Sequence, residues 1–204
     1  MKSTERAAHL GPDRRRPQVL DTALELTADH GLHGLSIDAI AQRMGVSRPV
    51  IYSCYASRDD ILTALLAREE QRLFDGVMSA LPGMPAFKNP EDVMVKGFQA
   101  LLKVVAEHQA SWKLVFASDP EPKLADRYDD ARRRVAARVA QLMQPGLQSA
   151  GVKDIPRKLP VLVELFMNIG DAAVRSMIND NGNWTTDELG TYFGRLTLSA
   201  FKAA

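Results

Sequence analysis

The residues best suited to chemistry cluster between Ser36 and Tyr55. Two short apolar-striped stretches flank a Gly45-Val46-Ser47 turn. Ile37, Ile40, Ala41 and Met44 recur at helical spacing, and Ser36 is placed to accept a free backbone N–H of the first turn. Gly45 suits the left-handed residue that closes such a helix. Ser47 is placed to cap a second helix, with Pro49 in its first turn, where a missing N–H costs nothing. That helix is expected to run through Val50, Ile51, Tyr52 and Tyr55. Ile40, Val46 and Ile51 form the small core that holds the angle. Ile51 and Tyr55 turn inward, while Arg48, Tyr52 and Ser53 turn outward. This is helix-turn-helix spacing, and its chemistry is recognition. One helix braces across a DNA backbone, and the first residues of the next meet base edges in the major groove.

Nothing comparable points to catalysis. His9, His30, His33 and His108 are scattered, and no His-x-x-Glu-His, Gly-rich phosphate loop, Cys-x-x-Cys or Gly-x-Ser-x-Gly occurs. The reading is therefore not an enzyme, with no catalytic residue, metal or cofactor expected. A helical small-molecule-binding protein without DNA binding stays open as the alternative. The lone cysteine, Cys54, allows no intrachain disulfide and fits a reducing cytoplasm. It reads as a small side chain near the helix core, with a redox sensor as the weaker option. Among 204 residues, 26 are basic and 25 acidic, a net charge of +1, so any attraction to DNA must come from a local patch. No apolar run approaches a membrane span, and residues 1–18 carry no secretory pattern.

The elements that position these residues are helical. Residues 1–13 lack periodicity and read as a flexible arm. After Pro17, Val19, Leu20, Ala23, Leu24 and Leu26 predict a first helix ending at His30-Gly31. Ser57 is expected to cap a long fourth helix with Asp59 and Asp60 in its first turn, closed at Leu81-Pro82-Gly83-Met84-Pro85. Further helices are expected at 90–108, 109–117, 122–149, 157–180 and 185–203. No segment alternates with period two, so the fold class is all-α.

The run from Ser36 to Tyr52, followed by Tyr55, Arg58 and Leu62, resembles the N-terminal signature of the TetR family of bacterial transcriptional regulators. The resemblance covers about residues 15–65. Ser36 stands for Thr, Tyr55 for Phe and Arg58 for Lys, and Cys54 stands where the family often has His or another polar residue. The resemblance implies an N-terminal three-helix bundle over 14–60 and a ligand-binding and dimerisation domain over 61–204. It implies that Tyr52, Ser36, Ser47 and Arg58 meet phosphates. Arg48, Pro49, Val50 and Ser53 would face bases, Arg48 favouring guanine and Val50 a thymine methyl. Arg14, Arg15 and Arg16 would form an arm to phosphates or the minor groove, a solvated tail being the equal alternative. The implied partners are a double-stranded DNA operator, a second copy and a small-molecule effector. The implied function is a cytoplasmic repressor released from a palindromic operator by a mostly apolar ligand, with an activator as the variant.

In the second half, Val161, Leu162, Leu165, Phe166, Ile169, Ala172, Ala173 and Met177 cover more than one face of their helix. Both faces need burial, and a self-complementary dimer with the last helix supplies it. Phe98, Leu102, Trp112, Phe116, Tyr128, Met143 and Met167 are the bulky candidates for an apolar ligand cavity, or simply for core. Glu164, Asn168, Asp171 and Arg175 form a polar stripe, read as pocket polar groups or as a solvated face with an Asp171–Arg175 pair. Arg132, Arg133, Arg134 and Arg138 read as a solvated face through Asp129–Arg133 and Asp130–Arg134 pairs.

Overall fold

The computed structural model describes residues 11–81, 89–116, 122–180 and 182–202, with backbone alone for 122–128. Among these residues there are nine α-helices, one 3-10 turn and no strand. The chain forms two compact units that divide between Glu69 and Glu70.

The first unit holds α1 (Pro12–His30), a 3-10 turn (Leu32–Gly34), α2 (Ile37–Met44), α3 (Arg48–Tyr52) and the start of α4 (Arg58–Ala80). Its core is made by Val19, Ala23, Leu26, Leu35, Ile40, Ile51, Ile61 and Leu65, all buried. Helix α1 begins at Pro12, ahead of the start expected after Pro17, so Arg14–Arg16 are helical rather than an extended arm. Gly11 O accepts from both Arg14 N and Arg15 N, and Pro12 suits a first helical position. Pro17 removes one N–H from the second turn, yet Val19 and Leu20 anchor the rest of the helix in the core. Arg68 of α4 ties back to α1 through Asp21 at 2.7 Å and lies 2.7 Å from the fully buried Glu69.

The second unit holds the rest of α4, then α5 (Pro90–Glu107), α6 (Gln109–Val115), α7 (Pro122–Ser149), α8 (Ile155–Ile178) and α9 (Thr186–Phe201). The tightest seam is α5 against α9. A Cβ added to Gly190 would lie 2.7 Å from Gln99 Cα, and one on Gly194 would lie 2.6 Å from Val95 Cα. Gln99 Nε2 donates to Thr191 Oγ1 at 3.1 Å and to Asp187 O at 3.2 Å across the same seam. At its N-terminus α9 has a full capping box. Thr185 Oγ1 accepts from Glu188 N, and Glu188 Oε2 accepts from Thr185 N.

Two apolar clusters fill this unit. Leu73, Phe98, Leu102, Val105, Trp112, Val174 and Phe193 make the larger, and Val139, Val163 and Met167 the smaller, with Phe166 packed on both.

Candidate nucleic-acid interface and the ligand half

Each step of the turn has a local cause. Ser36 Oγ accepts from Ala39 N at 3.0 Å and so starts α2. Gly45 ends it at φ 65°, ψ 32°, with Val46 N donating to Ala41 O at 3.0 Å. Ser47 precedes α3 without a side-chain cap, contrary to expectation, and α3 stops at Tyr52, short of Tyr55. Its length is limited because Ser53 Oγ donates to Val50 O at 2.7 Å and Cys54 Sγ contacts the same carbonyl at 3.5 Å.

Ile51 is fully buried, which points the opposite side of α3 outward. Ser47, Arg48, Pro49, Tyr52 and Ser53 are exposed, and Val50 is half-buried. Tyr52 is 47% exposed, high for so large an aromatic side chain. Tyr55 is half-buried, with the Arg16 guanidinium 6.0 Å from its ring centre, and burial pushes its phenol pKa up. Arg14 and Arg16 are exposed, while Arg15 is buried. Cys54 is buried, as expected of a small core side chain.

Arg58 is differently employed from the phosphate contact implied for it. Its Nε donates to Leu35 O at 2.8 Å and its Nη2 to Leu32 O at 2.9 Å, closing the 3-10 turn onto α4. Sequence reasoning missed two further groups at this surface. Arg43 of α2 pairs with Asp29 of α1 at 3.2 Å, and Asp38 pairs with Arg48 at 3.0 Å. Neither pair has a local sequence signal, because the partners lie on different helices.

Residues 19–65 match the family model for bacterial regulatory proteins of the tetR family. This N-terminal segment is therefore similar to the DNA-binding segment of the TetR family. It is 33% identical over 123 residues to the HTH-type transcriptional activator FasR of Mycolicibacterium smegmatis, covering 59% of this chain and 54% of that one. The chain thus spans about half the length of the curated relatives it matches. A TetR-like transcriptional regulator from Rhodococcus sp. RHA1 superposes with a TM-score of 0.73 at 22% identity, covering 93% of this chain and 97% of that one. A transcriptional regulator from Saccharomonospora viridis, solved in complex with choline, gives 0.67 at 23%, covering 90% and 95%. The chain therefore shares the all-helical fold of both structures.

The pocket candidates do not converge on one place. Phe98, Leu102 and Trp112 are buried together in the larger cluster, with Phe116 at its edge, 5.5 Å from Trp112 between ring centres. Met143 and Met167 belong to the smaller cluster. Tyr128 lies outside the described side chains. Glu164, Asn168 and Asp171 converge instead on Arg132 of α7. Its Nη1 and Nη2 donate to the two Glu164 oxygens at 3.1 Å each, its Nη2 to Asn168 Oδ1 at 3.2 Å, and its Nε to Asp171 Oδ2 at 3.4 Å. The bidentate hydrogen bonds hold the Glu164 carboxyl below its ordinary range.

These contacts correct three pairings. Asp171 bonds Arg132, and Arg175 lies over the Phe116 ring at 5.4 Å. Arg133 pairs with Asp130 one turn away, and Arg134 stacks on Phe74 at 3.8 Å. For Asp171, Arg134 and Arg175 the physical reason is that a flat guanidinium gains more from a second helix or an aromatic face than from an exposed i,i+4 carboxylate, whereas Arg133 keeps an exposed carboxylate of its own helix three residues away.

Trp112 is 5% exposed, and among the described residues its indole Nε1–H meets no acceptor. A further surface feature is an open groove of about 560 Å³ along α9, lined by Thr191, Tyr192, Arg195 and Leu196 among others.

Proposed function

We propose that this protein is a cytoplasmic, sequence-specific DNA-binding regulator of transcription, without enzymatic activity, that acts as a homodimer on a palindromic operator. The observation that carries the reading is α3 itself. Ile51 is sealed in the core while Ser47, Arg48, Pro49, Tyr52 and Ser53 stand exposed around it, inside the segment that matches the family model. Arg48, Pro49, Val50 and Ser53 face bases in this reading. Tyr52, Ser36 and Ser47 meet phosphates, and Arg14 and Arg16 add charge beside them.

Dimer formation is supported by what α8 and α9 leave uncovered. Val161 is 68% exposed, Leu165 39%, Tyr192 56% and Leu196 46%, on two helices that pack together. Apolar side chains grouped in this way favour a second copy over water.

The effector is a small, mostly apolar molecule that carries one hydrogen-bond acceptor. A buried N–H left unmade costs about 1–3 kcal/mol, which an acceptor arriving at Trp112 offsets. Binding there releases the operator by favouring a different separation of the two recognition helices. Helix α4, which begins in the first unit and ends in the second, is the proposed lever. Repression is the main reading. The FasR relative is named an activator, which favours activation as the second reading.

The test is selection of bound duplexes from random DNA, with light scattering of the free protein. A palindrome whose half-sites lie one helical turn apart, about 34–36 Å, and a dimer of twice 22.5 kDa are expected. No enriched sequence at low salt would sink the DNA-binding reading, and a stable monomer would sink the dimer.

A further inference from the structure

Arg48 opens α3 on its exposed side, yet it is not a free side chain. Its Nε lies 3.0 Å from Asp38 Oδ1. Asp38 comes from the first turn of α2, on the other side of the Gly45 turn. A carboxylate beside a surface that must approach phosphates is repelled by them, so its presence there calls for a compensating role.

A guanidinium carries five donors in a fixed plane. The ion pair with Asp38 engages the Nε side, which leaves the end-on pair, Nη1 and Nη2, for a base. That pair matches guanine O6 and N7.

We propose that Asp38 is a specificity-determining positioning residue: it touches no DNA, and it holds Arg48 end-on for one guanine in each half-site. This inference rests on the DNA-binding reading above. It makes the turn a single device in which α2 aims the side chain that α3 carries.

The experiment takes the duplex selected by the wild-type protein and measures binding to every single-base variant of one half-site. Wild type, Asp38→Ala, Asp38→Asn, Arg48→Ala and the Asp38→Ala/Arg48→Ala double variant are compared, with thermal unfolding as the control for folding. Arg48→Ala is expected to lower discrimination at one base pair on the order of tenfold. Asp38→Ala should lower it at that same base pair and no other, and should add nothing in the Arg48→Ala background. Asp38→Asn, which keeps an acceptor for Nε, should retain part of it. Uniformly tighter or weaker binding by Asp38→Ala, with base preference unchanged, would show a carboxylate that only repels phosphate and would overturn the proposal. A wild-type protein that selects no sequence defeats the underlying reading instead, and this inference with it.

Discussion

Gly45 ends α2 in the left-handed conformation, and a Cβ placed on it would meet nothing within 4 Å. Gly190 and Gly194 sit within α9, where a Cβ would strike the backbone of α5 at 2.6–2.7 Å. The same residue type thus serves two needs. At the turn it supplies a backbone angle that other residues reach only at a cost. At the seam it supplies absence, letting two helix backbones approach where any side chain would hold them apart. Two glycines inside one helix forgo roughly 1 kcal/mol each of helix propensity, so the contact they permit must return more than that.

Substitution at the seam is the strongest way to break this comparison. Gly194→Ala or Gly190→Ala should each destabilise the protein by about 1–3 kcal/mol, and the double variant by about 3 kcal/mol or more, because the obstruction is backbone. Urea unfolding monitored by circular dichroism measures this as a lower midpoint at unchanged slope. A rise in stability from either alanine would mean the seam opens freely and the glycines are incidental.

Arg58 tests whether the first unit is scaffold as well as DNA surface. Arg58→Ala removes two charge-assisted bonds to Leu32 O and Leu35 O and should cost about 2 kcal/mol. The salt dependence of operator binding should stay nearly unchanged. If the slope of log affinity against log salt falls by about one instead, the guanidinium leaves the turn for a phosphate in the complex.

Gly45→Ala should cost about 1 kcal/mol, since only the backbone angle resists it, and Gly45→Asn should cost less. Equal losses from the two would point to a steric constraint at the turn and erase its contrast with the seam.

The smallest effect expected is at the start of α9. Thr185→Ala removes the reciprocal cap and should cost about 1 kcal/mol or less. Glu188 is held below its ordinary carboxyl range first by the Thr185 backbone N–H and then by its hydroxyl. Asp180 is held low chiefly by the Trp184 backbone N–H. A carboxyl with a lowered folded pKa adds stability that is complete above its ordinary range. That stability is lost as pH falls through the folded value. Acid should therefore loosen the α9 start, and hydrogen exchange of its first-turn amides between neutral pH and pH 3 measures it. Protection that stays constant through that range would remove the cap's role.

The all-α class, the turn between α2 and α3 and the extents of most helices were legible in the chain alone, because each rests on near-neighbour chemistry. Ser36 accepts from Ala39 three residues on, Gly45 needs only its own backbone angle, and the Ile37-Ile40-Ala41 stripe lies on one helix. The early start of α1 escaped because Pro17 reads as a boundary locally, while Val19 and Leu20 hold the helix through it from the core. What tertiary structure decided is where long side chains end. Arg132 reaches Glu164, Asn168 and Asp171 on another helix, and Arg58 reaches carbonyls of the Leu32–Gly34 turn and Leu35. Asp38 meets Arg48 across the turn, and Gly190 and Gly194 disclose their purpose only when α5 lies against them. A guanidinium on a flexible stem can satisfy its donors in many places, and a glycine's missing Cβ has no meaning until a neighbour occupies the space. Both depend on which distant segment arrives, and spacing along the chain carries no record of that.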